Sequence, residues 1–432
     1  MISQLQKYLQ NVGYNKEQQL TRKRVLGDLP EGEYPIGIAF DAPLFTPLQR
    51  GITLARRALD FPEDSAWLLC LDEAEFLEPV HHRILNTYLR SQVNNLFFKI
   101  TTMPYCHYTL ETNARVSLNV GHDFEYVYID QDPISQVSEG SQGACDFANQ
   151  IFMKRLATLG TQHQGITLRD WLGASELLDR KESDWGPDSA NMALLRKYAD
   201  GKTIERAERL SDLPDKLYSE VARKIHGALL LRDAVSSQGK GLNVYSGASM
   251  VVRCADGNPR RLIRILNRFL QKTLKAGENA DRGSIKPLSS TAQTRILRGF
   301  SGVALSRVQS EPEVGPELYD LLNLIGNYMY SRLHKRPLTI DQVSSLIVSE
   351  KDSHRYWKLV KYAIGLGLLF PNVSVTNPDQ MPERKGIFHF AYVLAPHFLL
   401  LPRRGKEIGL LSILANASDY QIPLELLGKE ED

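Results

Sequence analysis

The chain has 432 residues, 43% of them hydrophobic and 24% charged, a composition that excludes a disordered or fibrous protein and suits a globular one with a real core. Fifty-two Lys and Arg against 50 Asp and Glu leave a net charge of +2, so any basic surface must be local. The four cysteines (Cys70, Cys106, Cys145, Cys254) form no CxxC pair, which argues against a disulfide framework or a zinc site.

Residues 1–34 are polar, with one short helix suggested by Ile2, Leu5 and Leu9. Ile36–Phe40 then reads as a strand, and Leu48–Leu59 as a helix with Ile52, Ala55 and Leu59 inward. Trp67–Leu71 and Leu96–Thr102 are short apolar runs, with a helix over Val80–Val93 between them and an alternating strand at Phe124–Ile129 beyond. Apolar runs separated by amphipathic helices predict an α/β fold whose mostly parallel sheet is covered on both faces. After Asp132 the strand signals stop. Cys145 to Lys275 reads as helix, broken at Trp185–Asp188 and Ser236–Gly241, and Gly277–Ser290 reads as a linker. Helices follow near Glu317–His334, Ile340–Ser349 and Ser353–Leu368, then an extended Ile387–Leu394. No apolar run approaches the ~20 residues of a membrane span, and the N-terminus lacks a signal peptide's apolar core. A cytoplasmic protein is expected.

The strongest local signal is the segment Trp67 to Glu75, an apolar strand ending in Asp72 and Glu73. Open α/β sheets place ligands at that carboxyl edge. An Asp there can hold Mg²⁺ against nucleotide phosphates, and the Glu can orient and deprotonate water. The plainer alternative is that both acids start the next helix, where its dipole favours them. One strand later, Thr101 and Thr102 end a buried run before Pro104, as γ-phosphate-positioning hydroxyls or as turn caps. Further on comes Asp256-Gly-Asn-Pro-Arg-Arg261, with Asn258 as helix cap, Pro259 at the first helical position, and Arg260, Arg264 and Arg268 as a cationic stripe. An Arg at a helix start can reach phosphate, although most such stripes are solvated faces.

These pieces, in this order, resemble the AAA+ ATPases, and in particular the origin-recognition (initiator) clade and its bacterial relatives. The resemblance implies a P-loop-type α/β core at 1–135, a helical lid at 136–280, a linker at 281–309 and a DNA-binding winged helix at 310–432. It implies ATP and Mg²⁺ as cofactors and makes Asp72 and Glu73 the acidic pair, with Asp72 on the metal. Thr102, or alternatively Thr101, would be the first sensor, Arg260 or Arg261 the sensor on the lid, and Arg115 an arginine finger. Double-stranded DNA and further copies of the chain are the implied partners, with ATP–Mg²⁺ as a conformational switch and ATP hydrolysis as the activity.

One departure stands out. No GxxxxGK[ST] occurs in residues 1–66, and Gly201-Lys202-Thr203, which has Arg196 where the first glycine belongs, reads as a turn. The expectation is therefore a sheet lacking its first strand, in an N-terminally truncated chain. The alternative is a nucleotide-free scaffold with vestigial ATPase residues. In the C-terminal segment, His354, Arg355, Lys358 and Lys361 lie on one helix face, opposite Tyr356, Leu359, Val360 and Ile364. Arg403-Arg404-Gly405-Lys406 reads as a basic tip for DNA phosphate. A protein-interaction surface is the rival reading. His81-His82, His389 and His397 lack partner ligands at metal-binding spacing.

Overall fold

A parallel strand pair cannot be closed by a hairpin and needs a crossover, and the segment around Asp72 obeys this rule. In the computed structural model, which describes residues 46–91, 95–127, 142–158, 166–179, 185–238, 242–276, 287–372 and 385–415, β1 (Trp67–Leu71) pairs in parallel with β2 (Leu96–Ile100). The register sets Trp67 opposite Leu96 and Leu71 opposite Ile100. A 3₁₀ turn, Ala74–Phe76, and the helix Pro79–Ser91 make the crossover, and the helix Thr46–Ala58 precedes β1. The chain divides into two compact units, Met1–Thr102 with His107–Asn119, and Met103–Cys106 with Val120–Asp432.

In the first unit the two strands differ in exposure from face to face among the described residues. Leu68 is 60% and Phe97 58% exposed, whereas Leu96 is buried and Trp67, Leu69 and Leu71 half-buried. Leu59, expected inward, is 60% exposed, because the helix ends at Ala58. The expectations for residues 1–34 and for Ile36–Phe40 lie outside the described residues. Of Phe124–Ile129, Phe124–Val127 are described, and they form a single bridge, Val120 to Phe124, in place of a strand.

From residue 142 to 334 the described part of the second unit is mainly helical, with Gln142–Thr158, Ala190–Tyr198, Gly201–Arg209, Arg223–Gln238, Pro259–Ala276, Ser290–Ser306 and Gly315–His334 as the longer helices of that stretch. Phe152 stacks on Trp171 at 5.1 Å, and Trp171 meets Phe269 edge-on at 6.2 Å, all three at most 1% exposed. Gly201-Lys202-Thr203, expected as a turn, is the first turn of a helix, capped by the Asp200 carboxylate accepting the Thr203 N–H at 2.9 Å. The stretch 281–309, expected as a linker, contains the helix Ser290–Ser306, which buries Gln293, Thr294, Leu297, Ser301 and Leu305. Gln293 is fully engaged: its Oε1 accepts the Gly247 N–H at 2.8 Å, and its Nε2 donates to the carbonyls of Leu172 and Leu288 at 2.9 and 2.7 Å. Gly247 has φ +96°, and a Cβ there would lie 2.4 Å from the Ser175 nitrogen, so only glycine fits.

Four strands complete the unit: β3 (Val343–Val348), β4 (Leu369–Pro371), β5 (Gly386–Phe390) and β6 (Lys406–Gly409), in the order β4-β5-β3-β6. β5 is antiparallel to both β3 and β4, and β6 runs parallel to β3. The helix expected over Ile340–Ser349 is β3 instead. Its apolar spacing fits either period, and the β-branched and serine content of Val-Ser-Ser-Leu-Ile-Val favours pairing with β5. The following helix, Glu350–Gly365, opens with a capping box between Ser349 and Asp352. It buries Tyr356, Leu359, Val360 and Ile364, as expected.

Candidate functional site

The acidic edge is built by continuing the β1–β2 register one step past the strands. The Thr101 N–H donates to the Leu71 carbonyl and the Ala74 N–H to the Thr101 carbonyl, each at 2.9 Å. Asp72 and Thr101 therefore become cross-strand neighbours, and the Thr101 hydroxyl donates to Asp72 Oδ1. The Glu73 N–H adds bonds to Asp72 Oδ1 at 3.0 Å and to Thr101 Oγ1 at 3.3 Å. Glu73 itself has φ +58° and ψ +41°, a left-handed conformation that costs a non-glycine residue ~1–2 kcal/mol. It precedes the 3₁₀ turn without capping it, so the acids are not simply helix starters. Both carboxylate residues are exposed. Thr102, one residue on and also exposed, is on the opposite face of the extended chain. The hydroxyl that meets Asp72 is thus that of Thr101, the alternative named from sequence.

Behind this edge lies a network that sequence reading passed over. The His82 Nδ1 accepts the Tyr108 N–H at 3.2 Å, which leaves Nε2 to donate to the Ala74 carbonyl at 3.0 Å, directly after Glu73. His82 is fully buried and stacks on His107 with ring centroids 4.4 Å apart. The His107 Nε2 donates to Asn86 Oδ1 at 3.0 Å, and Asn86 Nδ2 donates to the carbonyls of Thr109 and Glu111. Burial, and then the neighbouring His82, pull the His107 pKa down to about 4, against a hydrogen bond with the Thr109 backbone. His82 is marked in the sequence only by its place on the inner face of a helix.

The arginines at the start of the helix Pro259–Ala276 behave differently from one another. Asn258 Oδ1 accepts the Arg261 N–H at 3.0 Å, the expected cap. The Arg261 guanidinium is then spent on protein: it donates to Asp256 Oδ2 at 2.5 Å and to the Gly367 carbonyl at 3.1 Å. Asp256, 4% exposed at its side chain, also accepts the N–H groups of Tyr392 and Val393 at 2.7 and 2.9 Å. Burial pushes this carboxyl up to about 6, against the pull of Arg261 and the two amides. Arg260, in the same first turn, is exposed, and Arg268 lies over the Phe300 ring at 5.1 Å.

A family model described as ORC-CDC6-like matches residues 1–410. The chain belongs to the ORC-CDC6-like family. No curated protein and no solved structure matches it. Membership makes this chain a relative of the ORC/Cdc6-type AAA+ proteins, and a mixed α/β architecture agrees with that. No described helix is long and apolar enough to cross a membrane.

In this ORC-CDC6-like chain, Asp72, Glu73, Thr101, Thr102 and Arg115 belong to the first unit and Arg260 and Arg261 to the second. Arg115 is exposed on a turn with φ +59°, its N–H donating to the Thr112 carbonyl. Among the described residues no hydrogen bond or ion pair joins it to Asp72 or Glu73. The described residues also contain no cluster of three His, Cys, Asp or Glu side chains able to hold a metal. At the acidic edge the available donors are the hard oxygens of Asp72, Glu73 and Thr101. Mg²⁺ is held in that way, by one or two carboxylates with substrate phosphates supplying the rest. The Arg403-Arg404-Gly405-Lys406 run is not a free tip. A Cβ on Gly405 would lie 2.0 Å from the Gln342 carbonyl oxygen, the Lys406 N–H donates to that same oxygen at 2.6 Å, and the Arg403 guanidinium donates to the Arg223 carbonyl.

Proposed function

We propose that this chain is an initiator-like AAA+ protein in which ATP–Mg²⁺ at the Asp72 edge acts as a conformational switch coupled to DNA or partner binding. The observation that carries the reading is the Thr101–Asp72–Glu73 arrangement at the carboxyl edge of a parallel strand pair. Asp72 would hold the metal, with Oδ1 engaged by the Thr101 hydroxyl and the Glu73 N–H. Glu73 would orient and deprotonate water, and Thr101 would serve as first sensor in preference to Thr102. Mg²⁺, when bound, would supply positive charge against the nucleotide phosphates. Arg260 is the better lid sensor, since Arg261 is committed to Asp256. Arg115 keeps its place as a candidate finger that another copy of the chain would have to meet.

The domain division in this reading is core 1–135, lid 136–280, linker 281–309 and winged helix 310–432. The winged-helix assignment draws support from the sequence of helix, β3, helix, β4, β5 with β5 between the other two strands. Only one helix separates β3 from β4. Duplex DNA would meet the outer face of the helix Glu350–Gly365, where Lys358 is already paired with Glu313 at 3.1 Å. We place the protein in the cytoplasm, working as a homo-oligomer.

A nucleotide-free scaffold is the second reading, favoured by the commitment of Arg261 to Asp256. Calorimetric titration of ATP–Mg²⁺ separates the two. Under the switch reading, binding is weaker than micromolar but saturable, and it is lost in Asp72→Asn while Thr102→Ala leaves it intact. No heat of binding at millimolar ATP, with or without Mg²⁺, would establish the scaffold.

A further inference from the structure

A cavity of about 440 Å³ opens within the second unit. Its walls are the first residues of the helix Arg223–Gln238, the last turn of Gly315–His334, residues 340–344 entering β3, and the segments 390–392 and 400–406. Six cations line it: Arg223, Lys224, Arg332, Arg403, Arg404 and Lys406. One carboxylate, Asp341, stands against them, and it already faces Lys224 at 3.9 Å. In a chain whose net charge is only +2, so one-sided a lining is a local construction. Cations gathered within a Debye length of ~10 Å repel one another, and a low-dielectric concavity of one sign focuses its field on an incoming counter-charge.

The backbone holds the cations in place. Gly405 lies hard against Gln342, closer than any Cβ could come, and the Arg403 guanidinium is tied to the Arg223 and Lys224 carbonyls. Between the charges the lining is apolar, with Met329, Leu333, Phe390 and Leu401. The Ser344 hydroxyl, also in the lining, is buried with no hydrogen-bond partner among the described residues. An unmet buried hydroxyl calls for an explanation, and a polar ligand atom would supply one. The positive field is felt next door, where the His389 imidazole is held down to about 4 by burial first and Arg404 second, against Glu407.

We infer that this cavity is a binding site for a soluble phosphate ester of mononucleotide size, its phosphates gripped by Arg332, Arg404 and Lys406 and its body resting on the apolar lining. Cavities of ~300–1,000 Å³ with apolar walls and a few convergent polar groups are the usual small-molecule sites, and guanidinium forks match phosphate geometry. A DNA duplex, which offers its phosphates on a convex surface, cannot enter a space of this size. The site is independent of the Asp72 reading, because its residues all belong to the second unit.

The test titrates ADP and, separately, tripolyphosphate into the full-length Asp72→Asn chain in EDTA, so that the acidic edge contributes nothing. One-to-one saturable ADP binding is expected, tighter than that of tripolyphosphate and weakened at least about tenfold in Arg332→Gln/Arg404→Gln. Should that double variant melt early, Lys406→Gln alone, at an exposed position, is expected to weaken ADP several-fold with an unchanged melting curve. The inference is overturned if neither probe saturates by millimolar concentration, or if the folded variants bind as the parent does. It is likewise overturned if tripolyphosphate equals ADP, or if a 20-base-pair duplex binds through these cations where ADP does not.

Discussion

Asp72 and Asp256 each belong to a motif that the resemblance links to nucleotide chemistry, and their surroundings are opposite. Asp72 is exposed and accepts from a threonine hydroxyl and one amide at Oδ1, with no bond to Oδ2 among the described residues. Asp256 is buried, and two amides and a guanidinium engage both of its oxygens. A left-handed residue stands at each place, Glu73 at φ +58° and Asp256 itself at φ +51°. Strain of that kind persists where surrounding contacts over-determine the backbone. At Asp256 the contacts are between two parts of the second unit, so the motif holds the protein together. At Asp72 the carboxylate residue stays exposed, as the proposed metal role requires.

That contrast can be broken experimentally, most decisively at Arg261. Arg261→Ala leaves the Asp256 carboxylate buried without its cation and is expected to cost ~3–5 kcal/mol, read as the urea midpoint of the second unit. Arg260→Ala, one residue away and exposed, should stay within ~0.5 kcal/mol. Equal losses would mean that the Asp256 pair is not the clasp described above.

The first unit has its own test, in acid. The folded His107 pKa is depressed to about 4 from 6.5. The unfolded chain therefore binds the proton first, and stability present above pH 6.5 is lost as pH falls toward 4. Allowing for partial solvent screening, the loss is of the order of 1–2 kcal/mol. An NMR titration should place the imidazole midpoint near 4, and His107→Gln should flatten that part of the pH dependence of stability. A midpoint near 6.5 would show that the His82–His107 stack does not exclude charge.

Smaller effects follow at the acidic edge. Thr101→Val removes one exposed hydrogen bond and should cost no more than ~1 kcal/mol, while ATP–Mg²⁺ affinity drops several-fold; Thr102→Val should change neither. Smallest of all, Leu68→Ser on the open sheet face should leave the melting temperature within the ~0.5 kcal/mol expected of a surface change. A loss of several kcal/mol there would mean that the face is covered in solution.

The parts of the fold readable from sequence were those in which period, caps and length agree. The segments Trp67–Leu71 and Leu96–Ile100, the helix after Asn258-Pro259 and the helix after Ser349 all satisfy that condition. Val343–Val348 failed it, because six residues with apolar Val343, Leu346, Ile347 and Val348 support either period and only pairing with β5 decides. The helix Ser290–Ser306 was obscured by polar residues that turn out to be buried and bonded, above all Gln293. At the candidate site, Asp72 and Glu73 were legible as a strand-end pair. The choice between Thr101 and Thr102 rests on strand register, which a single strand's sequence does not carry. Arg260 and Arg261 could not be told apart from sequence, because nothing in it shows that the Arg261 guanidinium pairs with Asp256 five residues back.

Gln293 ties three separate stretches of backbone to one helix through a single side-chain amide, at Leu172, Gly247 and Leu288. None of the three bonds can open alone without stranding a buried donor or acceptor. The second unit should therefore exchange its Gly247 amide proton with deuterium only when the whole unit opens, at a rate set by global unfolding rather than by local fluctuation. A loop glycine between two helices would then rank among the slowest exchangers of the molecule, alongside amides in the centre of the helix Gly315–His334.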